Sequence, residues 1–215
     1  MLNILIVDDH AIVRRGLREI IQETISRDTC FDEAASGREA LQKIACHHYD
    51  LVLLDISMPG RNGLDTLKGI KAEKPNLPVL VLSMYPEDQF AMRSYRAGAS
   101  GYITKESAPD ELQVAVGKIL QGRKYISPFC SEMLLSELRN EKVTCEAPHL
   151  RLSNREYHVA CLIVAGKPLK EIALELVLSD KTISTYRTRI LTKMNIKTNA
   201  ELINYAIKNN MVNTD

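Results

Sequence analysis

The chain has 215 residues, 45% of them hydrophobic and 26% charged, enough to bury one large or two modest globular cores. Its formal net charge of +1 divides unevenly: residues 1–120 hold 14 Lys and Arg against 17 Asp and Glu, while residues 121–215 hold 14 against 10. The front half is thus acidic and the back half compatible with a polyanion. Five cysteines, an odd number without a C-x-x-C pair, fit a reducing compartment and argue against a disulfide framework. The adjacent His47 and His48 do not share a helix face, which argues against a zinc site.

The first residues, MLNILIVDD, lack the basic region and cleavage site of a signal peptide and read as a strand. No apolar run approaches the roughly 20 residues of a membrane span, so a soluble cytoplasmic protein is expected. A helix follows with Val13, Leu17, Ile20 and Ile21 on one face. CFDEAA then precedes REALQKI, LVLL precedes LDTLKGI, PVLVLS precedes a helix from about Glu87 to Ala97, and GYIT precedes PDELQVAVGKIL. Strands that are continuous apolar runs, alternating with helices, predict an α/β unit: a parallel sheet covered by helices on both faces.

Beyond Gly122 the pattern breaks. A helix from Pro128 to about Leu138 carries Leu134, Leu135 and Leu138, and NEKVTCEAPH (140–149) has no periodicity and reads as a tether. From Leu150 onward everything is helical. SNRE (153–156) and TNAE (198–201) fit capping boxes; Gly166 ends one helix and Pro168 opens the next. That helix, Leu169 to about Val177, meets a third starting at Ser179 across a very short turn, as in a helix-turn-helix. The expected division is a front domain over 1–121, a partly helical linker over 122–149 and a small all-α domain of four helices over 150–215.

Chemistry concentrates where the strands end. The first ends in Asp8-Asp9, the third in Asp55, the fourth in Ser83 and the fifth in Thr104-Lys105. Ligand sites of open parallel sheets form at such carboxyl ends. If the first and third strands are neighbours, three carboxylates share one rim, and two unit charges about 4 Å apart repel by roughly 4 kcal/mol at an effective dielectric of 20. A hard divalent cation, Mg²⁺, suits that cluster. With Lys105 and the Ser83 hydroxyl beside it, the constellation predicts phosphoryl transfer with Asp55 as the acceptor. A calcium loop starting at Asp55 fails, because DISMPG places Ser and Pro where oxygen ligands are needed. An aspartyl-phosphate hydrolase would carry a second Asp two residues on, where Ser57 stands.

In the back half, the helix from Ser179 sorts cleanly at about 100° per residue. Ile183, Ile190 and Met194 share the core side, flanked by Tyr186. Lys181, Thr185, Thr188 and Thr192 face the other way, with Ser184 and Arg189 on the shoulders. A polar, basic second helix suits the major groove, with Lys181, Arg187, Arg189, Lys193 and Lys197 attracting phosphates.

The stretches ILIVDDH, LVLLDISMPGRNGLD, VLVLS, AGASGYITK and LSNREYHVACLIVAG, then LSDKTISTYRTRI and KMNI, together resemble two-component response regulators of the NarL/FixJ type, over nearly the whole chain. That resemblance implies a flavodoxin-like receiver of strand order 2-1-3-4-5, followed by a LuxR-type helix-turn-helix. It implies Asp8 and Asp9 as the acidic pair, with Asp9, Asp55 and the Ser57 carbonyl as direct Mg²⁺ ligands. Ser83 and Lys105 would hold phosphoryl oxygens, and Tyr102 would be the switch aromatic. Base contacts fall at Ser184, Thr185 and Thr188. The last helix, with Leu202, Ile203 and Ala206 on one side, becomes the dimerisation element. The implied partners are a sensor histidine kinase, double-stranded promoter DNA and a second copy of the chain. In many such receivers Pro follows the lysine in a cis bond; here Glu106 does, leaving that isomer open. The alternative is a DNA-binding regulator or adaptor whose acidic cluster has lost its phosphoryl chemistry.

Overall fold

The computed structural model of the chain describes residues 2–24, 29–58, 63–85, 87–139, 147–209 and 211. It divides into two compact units, Met1–Ser136 and Glu137–Asp215. In the first, strands β1 (Leu2–Val7), β2 (Thr29–Ala34), β3 (Leu51–Asp55), β4 (Val79–Ser83) and β5 (Gly101–Thr104) alternate with helices α1 (Ala11–Thr24), α2 (Gly37–Cys46), α3 (Gly63–Glu73), α4 (Glu87–Arg96) and α5 (Ala108–Leu120). All pairings are parallel and the order is β2-β1-β3-β4-β5.

The apolar runs explain the layering. Every residue of β3 and β4 is buried, whereas edge strand β2 alternates. On one face Ile4, Ile6, Leu51, Leu53, Leu80 and Leu82 of the sheet pack with Leu17 and Ile21 of α1 and Leu112, Val116 and Ile119 of α5. Helices α2 and α3 pack together, as do α1 and α5. Because the chain runs from β1 out to β2 and returns to β3 on the other side of β1, the order reverses between β1 and β3. A crevice opens there at the strands' carboxyl ends.

Gly63 serves that crevice by close approach. A Cβ there would lie 2.3 Å from Ile56 Cα and 2.6 Å from the Asp55 carbonyl oxygen, so only glycine lets α3 start against the end of β3. Its φ is not positive, so space and not backbone conformation is what requires glycine here. Met58 is buried, while Pro59, Cys145 and most of the tether lie outside the described residues, as does the side chain of Leu138. No peptide bond is cis among the described residues, Lys105–Glu106 included. Helix α6 (Pro128–Arg139) forms where expected.

In the second unit a 3₁₀ turn, Pro148–Arg151, which the sequence reading did not separate, precedes α7 (Asn154–Val164), α8 (Leu169–Glu175), α9 (Asp180–Met194) and α10 (Asn199–Lys208). Ser153 and Glu156 close a full capping box on α7. Thr198 caps α10 through the Glu201 amide, but the Glu201 carboxylate takes the Lys197 N–H, one residue outside the cap. Gly166 (φ 80°) ends α7. Helix α8 stops at Glu175, two residues earlier than predicted, because Val177 sits in the left-handed region at φ 52°. A β-branched side chain is strained there, so the turn into α9 is imposed by packing on either side and not by local preference. The core holds Ile172, Ile183, Ile190, Met194, Leu202 and Ala206, all buried.

His158, 3% exposed, lies inside this unit. Burial, then the charges of Arg155 and Lys167, push its imidazole down to about 4. The unfolded chain takes up that proton below about pH 6.5, so the stabilisation is present above that pH and is lost as pH falls towards 4. Between pH 7.5 and 5 the expected loss is about 2 kcal/mol. Guanidinium unfolding followed by circular dichroism measures it, and His158→Gln should remove most of that pH dependence.

Candidate functional site

The carboxyl ends of β1, β3 and β5 bring three groups together. Lys105 Nζ lies 2.7 Å from Asp8 Oδ2 and 2.7 Å from Asp55 Oδ2, and both carboxylate side chains are 1% exposed. Each carboxylate is also fixed by a local amide. The Ser57 N–H donates to Asp55 Oδ1 at 2.7 Å, and the His10 N–H donates to Asp8 Oδ1 at 2.8 Å. Burial pushes the Asp55 carboxyl above the usual carboxylate range, and the Lys105 charge only partly offsets it. Burial alone would lower the Lys105 ammonium, but Asp55 and Asp8 outweigh it and hold it above its ordinary value.

Asp9 completes the cluster. Ligand atoms of Asp8, Asp9, His10 and Asp55 lie within 4.8 Å of one another. Three carboxylates against one ammonium leave a formal excess of two negative charges. Asp9 Oδ1 is buried and makes no hydrogen bond of good geometry, with His10 Nδ1 3.1 Å away. Three carboxylates with that excess fit a hard divalent cation, which takes oxygen ligands.

Ser83 and Tyr102 stand next to this pocket. Ser83, fully buried, accepts the Tyr85 N–H at 2.9 Å. The Tyr102 hydroxyl donates to the Tyr85 carbonyl at 2.7 Å, and its ring is already fully inside. The Tyr85 ring stacks on Phe90 of α4 with centroids 4.7 Å apart. Helix α4 in turn holds the start of the linker. Glu87 accepts from the Ser127 hydroxyl and the Cys130 thiol, and the Tyr95 hydroxyl donates to the Tyr125 carbonyl. Tyr125 also donates its hydroxyl to Glu111 of α5.

Sequence reasoning missed three parts of this arrangement. His10 Nδ1 lies 3.3 Å from Asp8 Oδ1 and 3.1 Å from Asp9 Oδ1. Arg14 donates to the Asp8 carbonyl at 2.7 Å and pairs with Glu33. Only for His10 was a signal visible, its place directly after the acidic pair. The third is Glu87, whose partners lie 40 and 43 residues on.

In the second unit Lys181, Ser184, Thr185, Thr188 and Arg189 are exposed on α9. Two of the residues expected to contact DNA also bind within the unit. Lys193 Nζ lies 2.6 Å from Glu156 Oε2, which also serves the capping box of α7, so this cation fastens α9 to α7. Arg187, half-buried, donates Nε to Asn199 Oδ1 at 2.7 Å, tying α9 to the start of α10. Of the residues expected at a dimer contact, Leu202 and Ala206 are 0% exposed within this unit, in which α10 packs on α7. Ile203 is half-buried, and Ile207 is 47% exposed.

Comparison with known proteins agrees with this geometry. Residues 4–117 match the response regulator receiver domain, and residues 150–206 match the bacterial regulatory proteins of the luxR family. The chain is 35% identical to the response regulator UvrY of Escherichia coli K12, covering 100% of this chain and 98% of the relative. It is also 35% identical to the oxygen regulatory protein NreC of Staphylococcus carnosus, covering 98% and 99%. The structure of RcsB from Salmonella enterica serovar Typhimurium, bound to promoter rprA with the phosphomimetic BeF₃⁻, superposes with a TM-score of 0.61 at 25% identity, covering 95% of this chain and 98% of that one. No helix among the described residues is long and apolar enough to cross a membrane. The chain belongs to the NarL/FixJ family of two-component response regulators, a receiver domain joined to a LuxR-type DNA-binding domain that regulates transcription.

Proposed function

We propose that the chain is a phosphorylation-controlled, DNA-binding transcriptional regulator in which Asp55 accepts a phosphoryl group from a sensor histidine kinase. Residues 1–121 act as receiver, 122–149 as linker and 150–215 as the DNA-binding domain, in the cytoplasm. The observation that carries this reading is the placement of one lysine at 2.7 Å from two buried carboxylates on separate strand tips. Asp8, Asp9, Asp55 and the Ser57 carbonyl would hold Mg²⁺, which neutralises charge on the transferred group. Asp55 supplies the attacking carboxylate oxygen. Lys105 then turns to a phosphoryl oxygen, with Ser83 donating to another.

The hydrogen bonds around Tyr85 supply a route outward. A Ser83 hydroxyl drawn to the phosphoryl group gives up the Tyr85 N–H. Tyr85 is held by Tyr102 and stacked on Phe90, so its shift moves α4 and with it the Glu87 grip on Ser127 and Cys130. Moving a switch from 1:99 to 99:1 takes about 5.5 kcal/mol, which requires several charge-assisted contacts to the one phosphoryl group. The output is dimerisation and promoter binding. Ile203 and Ile207 are the surface of α10 open to a second copy, and Lys181 and Arg189 flank the base-reading residues Ser184, Thr185 and Thr188.

Two experiments test this. Acetyl phosphate with Mg²⁺ should raise both the dimer fraction in ultracentrifugation and the affinity for promoter DNA, and Asp55→Ala should fold normally but lose both responses. A variant that still responds would leave only a phosphorylation-independent regulator. Glu87→Ala should keep Asp55 phosphorylation, measured by mass spectrometry, but speed amide exchange over residues 125–131 and reduce the phosphorylation-dependent gain in DNA affinity severalfold.

A further inference from the structure

Three threonines on the outer face of α9 turn their hydroxyls onto the helix itself. The Oγ1 atoms of Thr185, Thr188 and Thr192 donate to the carbonyls of Lys181, Ser184 and Thr188 at 2.9, 3.0 and 2.9 Å. All three residues are exposed, and at 100° per residue they fall within about 60° of arc. A hydroxyl whose proton is used inside the helix offers a base edge no donor. The other substituent at Cβ, exposed and unengaged in hydrogen bonding, is the methyl.

A row of methyls on the second helix of a helix-turn-helix has one specific complement in the major groove, the C5-methyl of thymine. Neither of the two central positions carries the Arg, Lys, Asn or Gln that would read guanine or adenine bidentately. We propose that Thr185 and Thr188 select operator sequence by apolar contact with thymine methyl groups. Lys181 and Arg189 hold the flanking phosphates. Thr192 lies about three turns into α9, beyond the N-terminal residues of a recognition helix that reach base edges, so it adds little. This inference rests on the reading of α9 as the helix that enters the groove.

The test begins with the full-length protein, treated with acetyl phosphate, enriching a duplex from a random pool. Each thymine of the enriched site is then replaced by deoxyuridine, which keeps the pairing and O4 but lacks the methyl. Affinities are measured by fluorescence anisotropy at one fixed salt concentration. Wild type should bind about fourfold more weakly at one or two uracil positions per half-site, the effect of one lost methyl contact. Thr185→Val and Thr188→Val should retain affinity and the uracil penalty. Thr185→Ser and Thr188→Ser should lose a similar factor on thymine duplex and cease to distinguish uracil. All four substitutions are at exposed positions, and thermal unfolding confirms that each variant is folded. Valine variants that bind weakly while serine variants bind normally would overturn the proposal in favour of hydroxyl readout, as would indifference to every uracil. Failure to enrich any sequence would instead overturn the groove-reading assignment of α9.

Discussion

Everything in the first unit is arranged around two carboxylates that ought not to be buried. Removing an ionised Asp from water costs several kcal/mol unless an opposite charge and hydrogen bonds compensate. Here Asp8 and Asp55 are 1% exposed, and one ammonium, brought from the end of β5, lies within 2.7 Å of both. That arrangement needs the strand order β2-β1-β3-β4-β5, since it sets β1 beside β3 and ends β5 within reach of a lysine side chain. It also needs Gly63, because any Cβ would push α3 off the end of β3. A single lysine leaves the pocket anionic, which suits it to a divalent cation and, through that cation, to a phosphoryl group.

The same economy of contacts governs the path away from the pocket. Tyr85 uses its amide on Ser83, its carbonyl on Tyr102 and its ring on Phe90. A change at Ser83 therefore cannot be absorbed locally. Glu87, three residues before Phe90 on α4, carries two hydrogen bonds from the linker, and burial with the neighbouring Glu87 charge pushes the Cys130 thiol up to about 12. That thiol is a structural donor and not a nucleophile. The linker is thereby bonded to the helix on which the Tyr85 ring stacks.

In the second unit, positive charge has two competing uses. Lys193 and Arg187 lie on the helix that carries the basic stripe, yet their partners are Glu156 and Asn199. A small four-helix domain has little apolar area to hold its helices in register, and charged hydrogen bonds at the helix ends supplement it. Also exposed on α9 are Lys181, Arg189 and a threonine face whose hydroxyl protons are internally engaged.

Patterns local in sequence were legible in the sequence alone. Apolar runs marked the strands, apolar periodicity and caps marked the helices, and strand-terminal Asp8, Asp9, Asp55 and Lys105 marked the residues that cluster, because each signal lies within a few residues of the feature it specifies. What needed tertiary structure was anything set by a distant partner. The contact of Lys193 with Glu156 of α7, and the burial of Leu202 and Ala206 where α10 packs on α7, exist only in the folded chain. The need for glycine at position 63 shows only once β3 is placed against it, and Val177 reads as helical until the packing of α8 and α9 forces it to positive φ. Amphipathic periodicity says that a face is covered, but the covering surface, and so the role of each side chain on it, is decided only when the chain folds.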